Sequence, residues 1–199
     1  QIVLVHEIFG AGTSGRNAWI YNPGLARVNR APEVGFDNPS LGSDGLQFND
    51  QINMFNGSLS RYTWRLVGKR EMYIPYNSME INSARHHYDD IIGRGHVNQD
   101  LARYELHRVW VIEAELRPGA RHQFKRRTFY LDEDSWVVAM MDAYDNRDQL
   151  WKLSEGHVMT APFIPTTTTL PEIHYDLLSG RYFVTALSNE DRINNFEAD

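Results

Sequence analysis

Residues 2–24, IVLVHEIFGAGTSGRNAWIYNPG, contain the spacing Gly10-x-Gly12-x-x-Gly15. That spacing cradles a pyrophosphate when a strand feeds it and a helix N-terminus follows it. Ile2 to Val5 supply an apolar run suited to the strand. The helix is absent from the pattern, because only Arg16 to Asn22 separate Gly15 from Pro23-Gly24. Trp19-Ile20-Tyr21 in that interval favours extended chain. The glycines therefore read as a loop between strands, and no cofactor is expected.

The run DEDSWVVAMMDAYDNRD, residues 132–148, is rich enough in carboxylates for acid–base or metal chemistry. Most of them fall at expected hairpin turns, where Asp and Asn bond nearby backbone. The spacing also lacks the glycine and terminal Glu of a calcium loop. Asp142 is the exception, lying within a strand, with Lys125 expected opposite it as an ion-pair partner. His86-His87 is followed by Asp89-Asp90, but adjacent side chains diverge and no H-E-x-x-H occurs, so a zinc site there is possible in chemistry but unsupported by the pattern, and no metal ligand is assigned. Gly12-Thr13-Ser14-Gly15 has the wrong spacing for a nucleophile elbow. Asn56-Gly57-Ser58 is a formal glycosylation triplet that reads as a turn. RHQFKRR, residues 121–127, is the one basic cluster; alternation sends Arg121, Lys125 and Arg127 to one face and His122 and Arg126 to the other. Split this way it suits a solvated strand end better than a phosphate stripe. No catalytic residue is expected, and the chain reads as non-enzymatic.

The 199 residues suit one domain, long enough to bury a substantial core. Twenty basic against 26 acidic residues leave a net charge of −6, which argues against a nucleic-acid partner. No apolar run reaches the length of a transmembrane helix. With no cysteine, disulfides, thiolate metal sites and Cys nucleophiles are excluded. The chain begins at Gln1 without a charged-then-apolar leader, as a trimmed or processed product would.

The positioning elements read as consecutive strands. Trp19–Tyr21 and Leu25–Arg30 flank a turn at Asn22-Pro23-Gly24, and 31–45 is a Pro- and Gly-rich loop. Short helices are expected over 46–55 and 86–92. RYTWRLVGKREMYI alternates apolar and polar residues, as does YELHRVWVIEAEL. Strands over 121–131, 136–144 and 149–159 follow, then a loop holding Thr166–Thr169, then a hairpin around Leu178-Ser179-Gly180. Hairpins without crossover helices imply an antiparallel meander, mainly β, and not a doubly wound sheet. The tightest loops would set Leu131 against Trp136, Phe129 against Val138, Met140 against Leu153 and Asp142 against Trp151. One apolar face then gathers Trp64, Leu66, Met72, Trp110, Ile112, Phe129, Trp136, Val138, Met140, Trp151 and Leu153. If the short helices leave that face uncovered, it is a candidate cavity for an apolar ligand; otherwise it is ordinary core.

The hairpin Trp19-Ile20-Tyr21-Asn22-Pro23-Gly24 resembles the W-x-Y-x-P hairpin of the bacterial outer-membrane lipoprotein carriers, the LolA-like proteins. Tyr62–Asn77, Trp136–Trp151 and Tyr175–Phe183 are similar to a narrower LolA-like envelope family, domain of unknown function 1329. The resemblance implies a curved antiparallel half-barrel closed by helices, a periplasmic location and no known catalytic residues. Members are longer at the N-terminus, so residues 1–199 would form a single domain from the C-terminal part of a longer protein. The reading that results is a non-enzymatic periplasmic protein that binds or carries a lipid or other hydrophobic ligand, in outer-membrane lipid or lipoprotein trafficking. The competing reading is a scaffold that docks an envelope transporter or lipoprotein and holds no small ligand.

Overall fold

The structure, a computed structural model, describes residues 2–6, 17–31, 35–161 and 165–191. The Gly10–Gly15 turn lies outside them. Among the described residues, ten strands form two antiparallel sheets, with one short helix, α1 (Tyr88–Ile91). β1 (Ile2–His6), β2 (Asn17–Asn22) and β3 (Arg27–Arg30) make a small sheet in the order β1-β2-β3. The β2–β3 turn is the expected one: Pro23 fixes its start, and the Asn22 side chain accepts the Gly24 N–H at 3.1 Å.

The main sheet holds β4 (Tyr62–Pro75), β5 (Tyr104–Leu116), β6 (Arg126–Asp132), β7 (Val138–Tyr144), β8 (Leu150–Ala161), β9 (Thr166–Asp176) and β10 (Arg181–Thr185). Its order, β10-β9-β8-β7-β6-β5-β4, is a pure meander, open at both edges. The fold is mainly β, with sheets that do not close into a barrel among the described residues.

Cross-strand partners project from the same side of a sheet. One row therefore runs Trp64, Ala114, Arg127, Ala143, Lys152, Asp176 and Arg181 along one face. Its neighbour on that face runs Leu66, Ile112, Phe129, Met141, Ser154, His174 and Phe183. The opposite face carries Val111, Tyr130, Met140, Glu155, Ile173 and Val184. The β4–β5 ribbon outruns β6 and curls across this second face. There Tyr76 bridges to Val158 of β8, and Ile74, Val109, Val111, Ala139 and Val158 form a buried cluster. The excursion between β4 and β5 covers the rest, packing Ile81, Ile91 and Val97 on Ile173.

Bulges alter the expected faces. Val67 is an extra residue between the pairs Leu66–Ile112 and Gly68–Val111. Beyond it, Met72 moves to the face of Ile74 and Val109, away from Trp64 and Leu66. A second irregularity pairs Tyr130 with Met140 and Leu131 with Val138. The observed partners of Phe129, Met140 and Asp142 are Met141, Glu155 and Leu153, not the tight-loop partners. The β7–β8 loop is wider because Asp145 spans it, accepting the Arg147 and Gln149 N–H groups.

Other expectations are also corrected. Residues 46–55 hold only a three-residue helical turn, Asn49–Gln51. Residues 121–125 precede β6 as a loop, since His122 and Phe124 turn into the core. Thr166–Thr169 open β9 and pair with Val158–Ala161, in keeping with the strand preference of β-branched residues. Lys125 does not face Asp142. It pairs with Asp148, while Asp142 sits opposite Thr128 and accepts the Tyr130 hydroxyl at 2.8 Å.

Gly68 holds φ +140°, a conformation L side chains rarely adopt, and it creates the bulge. Gly68→Val should lower the unfolding free energy by about 2 kcal/mol, read from urea denaturation. A variant as stable as its parent would show that the bulge tolerates an ordinary residue.

Candidate functional site

The tryptophan-bearing face is covered around Trp64, Phe129 and Trp151. Residues 36–61 lie across it as a strap, and Phe48, Met54 and Phe55 supply its apolar contacts. Phe55 meets Trp64 and Phe129 edge-on, with centroids 5.5 and 5.2 Å away. Phe48 meets Phe124 at 5.1 Å and Trp151 at 6.4 Å. These contacts are those of a packed core.

The strap is also pinned by buried polar groups. Arg127, fully buried, pairs with Asp50 of the strap and donates to the Tyr62 hydroxyl at 2.7 Å. His122 accepts the Phe124 N–H on Nδ1, which leaves its Nε2–H facing Asp50 at 3.2 Å. Burial lowers the His122 pKa, against the pull of Asp50. The Asp50 pKa is lowered too, because Arg127 and His122 outweigh the burial that would raise it. Lys152, equally buried, donates to the Gly45 and Leu46 carbonyls at 3.1 and 3.3 Å and to Asp176 at 3.3 Å. Its pKa is lowered by burial, against the pull of Asp176. Ser154 lies 2.8 Å from His174 Nδ1, and the other ring nitrogen meets Gln47 at 3.0 Å. This Ser–His pair is fully buried, with a His174 pKa lowered to about 3 by burial, so it secures the strap and offers no nucleophile to solvent. Finally, Glu172 accepts the backbone N–H groups of Met54 and Asn53, two residues in the left-handed region. Burial pushes the Glu172 pKa up to about 7 despite those bonds.

The expected ligand-binding residues do not form one surface. Trp64, Leu66, Trp110, Ile112 and Phe129 share the strap face, and Val138 and Trp151 pack against the same cluster. Met72 and Met140 join the opposite cluster, and Leu153 also projects from the opposite side, beside Asp142. Trp136 lies on neither face. It occupies the β6–β7 turn with φ +59° and is 67% exposed. The shared tryptophan face is also not the one over which β4 curls.

An open surface does exist where the sequence pattern gave no sign of it. A groove of about 530 Å³ runs beside the edge strand β10 and is lined chiefly by Tyr88, Ile92, Tyr182, Phe183, Val184 and Leu187. The Tyr182 hydroxyl donates to the Gly93 carbonyl at 2.7 Å and ties β10 to the segment after α1. Three residues could hold a metal ion: His107, Asp132 and Asp134 offer one donor atom each within 4.8 Å of one another. His86 meets Glu80 at 2.7 Å, while the neighbouring His87 is directed toward Glu190 at 3.5 Å.

An open antiparallel sheet, strapped on one face and grooved along its edge, is the class of fold this chain adopts. Within that class, the chain belongs to the family described as Protein of unknown function (DUF1329), whose profile matches residues 1–199. It is 46% identical over 192 residues to Uncharacterized protein PA3922 of Pseudomonas aeruginosa, covering 96% of this chain and 42% of the relative. The chain thus spans less than half of that relative's length. A crystal structure of a DUF1329 protein from Desulfovibrio piger aligns with a TM-score of 0.57 at 16% identity, over 92% of this chain and 60% of that one. A Vibrio parahaemolyticus domain, provisionally named an outer membrane lipoprotein-sorting protein, aligns with the same score and coverage at 13% identity. Among the described residues, no helix is long and apolar enough to cross a membrane.

The strap chemistry sets a pH dependence. The folded Glu172 pKa, about 7, lies above the ordinary 4.5, so its contribution is full below pH 4.5 and is lost as pH rises through about 7. Glu172→Gln keeps the acceptor without the charge. Its stability advantage over the parent should grow by about 3 kcal/mol between pH 4.5 and 8 in urea titrations. A constant difference across that range would show that the carboxyl titrates normally.

Turn and face residues separate in a second test. Trp136→Arg should leave stability within about 0.5 kcal/mol of the parent, as at other exposed positions. Trp64→Arg, beneath Phe55, should lower the melting temperature by more than about 8 °C. Equal losses from the two would place Trp136 in the core.

Proposed function

We propose that this chain is the β core of a non-enzymatic periplasmic carrier that holds a lipid or other hydrophobic molecule in the groove beside β10. The groove carries the reading: it is apolar, open, and of a volume typical of small-ligand sites. A buried acyl chain gains about 0.8 kcal/mol for each methylene removed from water, so partial burial of a chain there is enough for retention. The tryptophan face is a poorer candidate, because Phe48, Met54 and Phe55 already occupy it. The similarity to a domain named for lipoprotein sorting supports an envelope setting and a lipid cargo. A non-catalytic role is supported by the burial of the Ser154–His174 pair.

Phe183 projects from the sheet face opposite to that of its neighbours Tyr182 and Val184, yet all three border the groove. Organic extraction of the purified protein, followed by mass spectrometry, should release lipid. Phe183→Glu should reduce that load at least about tenfold, because a carboxylate in an acyl site must be desolvated. Leu66→Glu, at an exposed position on β4, should retain the parental load. Parent protein that releases no lipid would remove the carrier reading and favour a scaffold that docks another envelope protein. Undiminished lipid in Phe183→Glu would place the ligand elsewhere.

A further inference from the structure

His107 on β5, Asp132 at the end of β6 and Asp134 in the turn after it bring three donors together. His107 Nδ1 lies 2.9 Å from Asp132 Oδ1 and 3.8 Å from Asp134 Oδ2. Ligands on one ion at about 2.1 Å stand about 3.0 Å apart at right angles and about 3.4 Å apart at the tetrahedral angle. His107 and Asp132 already stand at a ligand–ligand spacing, and the mostly exposed Asp134 side chain, within 4.8 Å of both, has to swing inward to complete the set.

Charge gives an independent reason to look for one. The Asp132 side chain is fully buried, and among the described residues no Lys or Arg pairs with Asp132 or Asp134. Arg103 in this group is committed to Glu105 at 2.9 Å. A buried carboxylate without a cation is costly, and an ion that also takes Asp134 would compensate both.

The surroundings suit a metal-bound imidazole. With Nδ1 on the metal, the ring proton sits on Nε2, which faces Glu105 Oε2 at 3.6 Å. That separation is too long for a hydrogen bond now, but a small rotation of the ring would close it. A carboxylate behind the imidazole is the arrangement that fixes the tautomer of a metal-binding histidine. Glu105 is held in place by Asn77 at 2.8 Å and by Arg103. The second Asp132 oxygen is occupied by the Ser135 N–H and hydroxyl at 2.9 and 2.6 Å, so only Oδ1 is available to an ion. The Tyr76 ring lies against the imidazole, its centroid 4.1 Å away. Asp134, mostly exposed, leaves the outer side open to water ligands.

We propose that His107, Asp132 and Asp134 form a binding site for a divalent first-row transition-metal ion, with Glu105 as the positioning residue behind His107. One nitrogen and two carboxylate oxygens favour zinc-like ions over calcium, which requires six or more oxygens. The site is separate from the β10 groove, so it stands whether or not the protein carries lipid.

The test is calorimetric titration of chelator-treated protein with Zn²⁺, and separately with Ca²⁺, accompanied by thermal melts. Zn²⁺ should bind with one-to-one stoichiometry and raise the melting temperature, and Ca²⁺ should do neither. Asp134→Asn changes an exposed side chain and should fold normally, yet weaken Zn²⁺ at least about tenfold. His107→Gln should abolish binding, and Glu105→Gln should weaken it by about 10–100-fold. No one-to-one Zn²⁺ isotherm would overturn the proposal, leaving the His107–Asp132 contact as a hydrogen bond of the fold alone. Equal Zn²⁺ affinity in Asp134→Asn or His107→Gln would overturn it by placing the ion at another histidine. Ca²⁺ binding that survives His107→Gln would also overturn it, because the site would then use oxygen alone.

Discussion

A guanidinium placed in the middle of an aromatic sheet face must bring its counter-ion with it. Arg127 is fully buried there, with Phe124, Tyr62 and Phe55 4.8, 5.1 and 5.7 Å from its central carbon. Among the described residues, Nη2 finds hydrogen-bond acceptors while Nε and Nη1 have none. The aromatic rings partly replace those bonds through cation–π attraction. The rest of the compensation comes from Asp50, and Asp50 belongs to the strap. Removing one partner of such a pair typically costs about 3–5 kcal/mol, so the strap is bound to the sheet electrostatically as well as by packing. Lys152 repeats this arrangement further along the same row, with strap carbonyls in place of the carboxylate.

This constraint determines which surfaces remain for function. The strap covers one face, and the curl of β4 together with the excursion after it covers much of the other. What stays open includes the β10 edge of the meander, where, among the described residues, β10 has a partner on one side alone. The groove forms at that edge because the excursion carrying α1 packs close to β10 without pairing with it. An apolar molecule can enter such a site without displacing the buried ion pairs. The fold therefore separates a rigid polar-pinned face from an accessible apolar margin.

The bulges are what let a single meander serve both faces. Without Val67 and Gly68, β4 would keep Met72 and Ile74 on the side of Trp64. The far end of the ribbon would then present Tyr73 to β8 in place of Ile74. With them, one strand feeds the strap-side core at its start and the β8-side cluster at its end.

The strand order and the meander were legible from the sequence, because alternation and turn chemistry act within a few residues. The NPG turn, a turn opening at Asp132 and the long strands β4 and β5 appear where local pattern places them. The faces were not legible beyond the first bulge. A single inserted residue inverts parity, and apolar residues on both sides of β4 and β6 hide the inversion. Trp136 misled for a similar reason, since a turn residue at φ +59° interrupts an apolar run that reads as continuous strand. Nor did the basic cluster at 121–127 announce a buried cation. Whether Arg127 is solvated or sealed depends on Asp50, 77 residues earlier, arriving above it. The sequence by itself determined the elements and their order, since those depend on near neighbours. Only the tertiary structure decided which charges are buried and which apolar residues stay open, because burial is set by whatever distant segment packs on top.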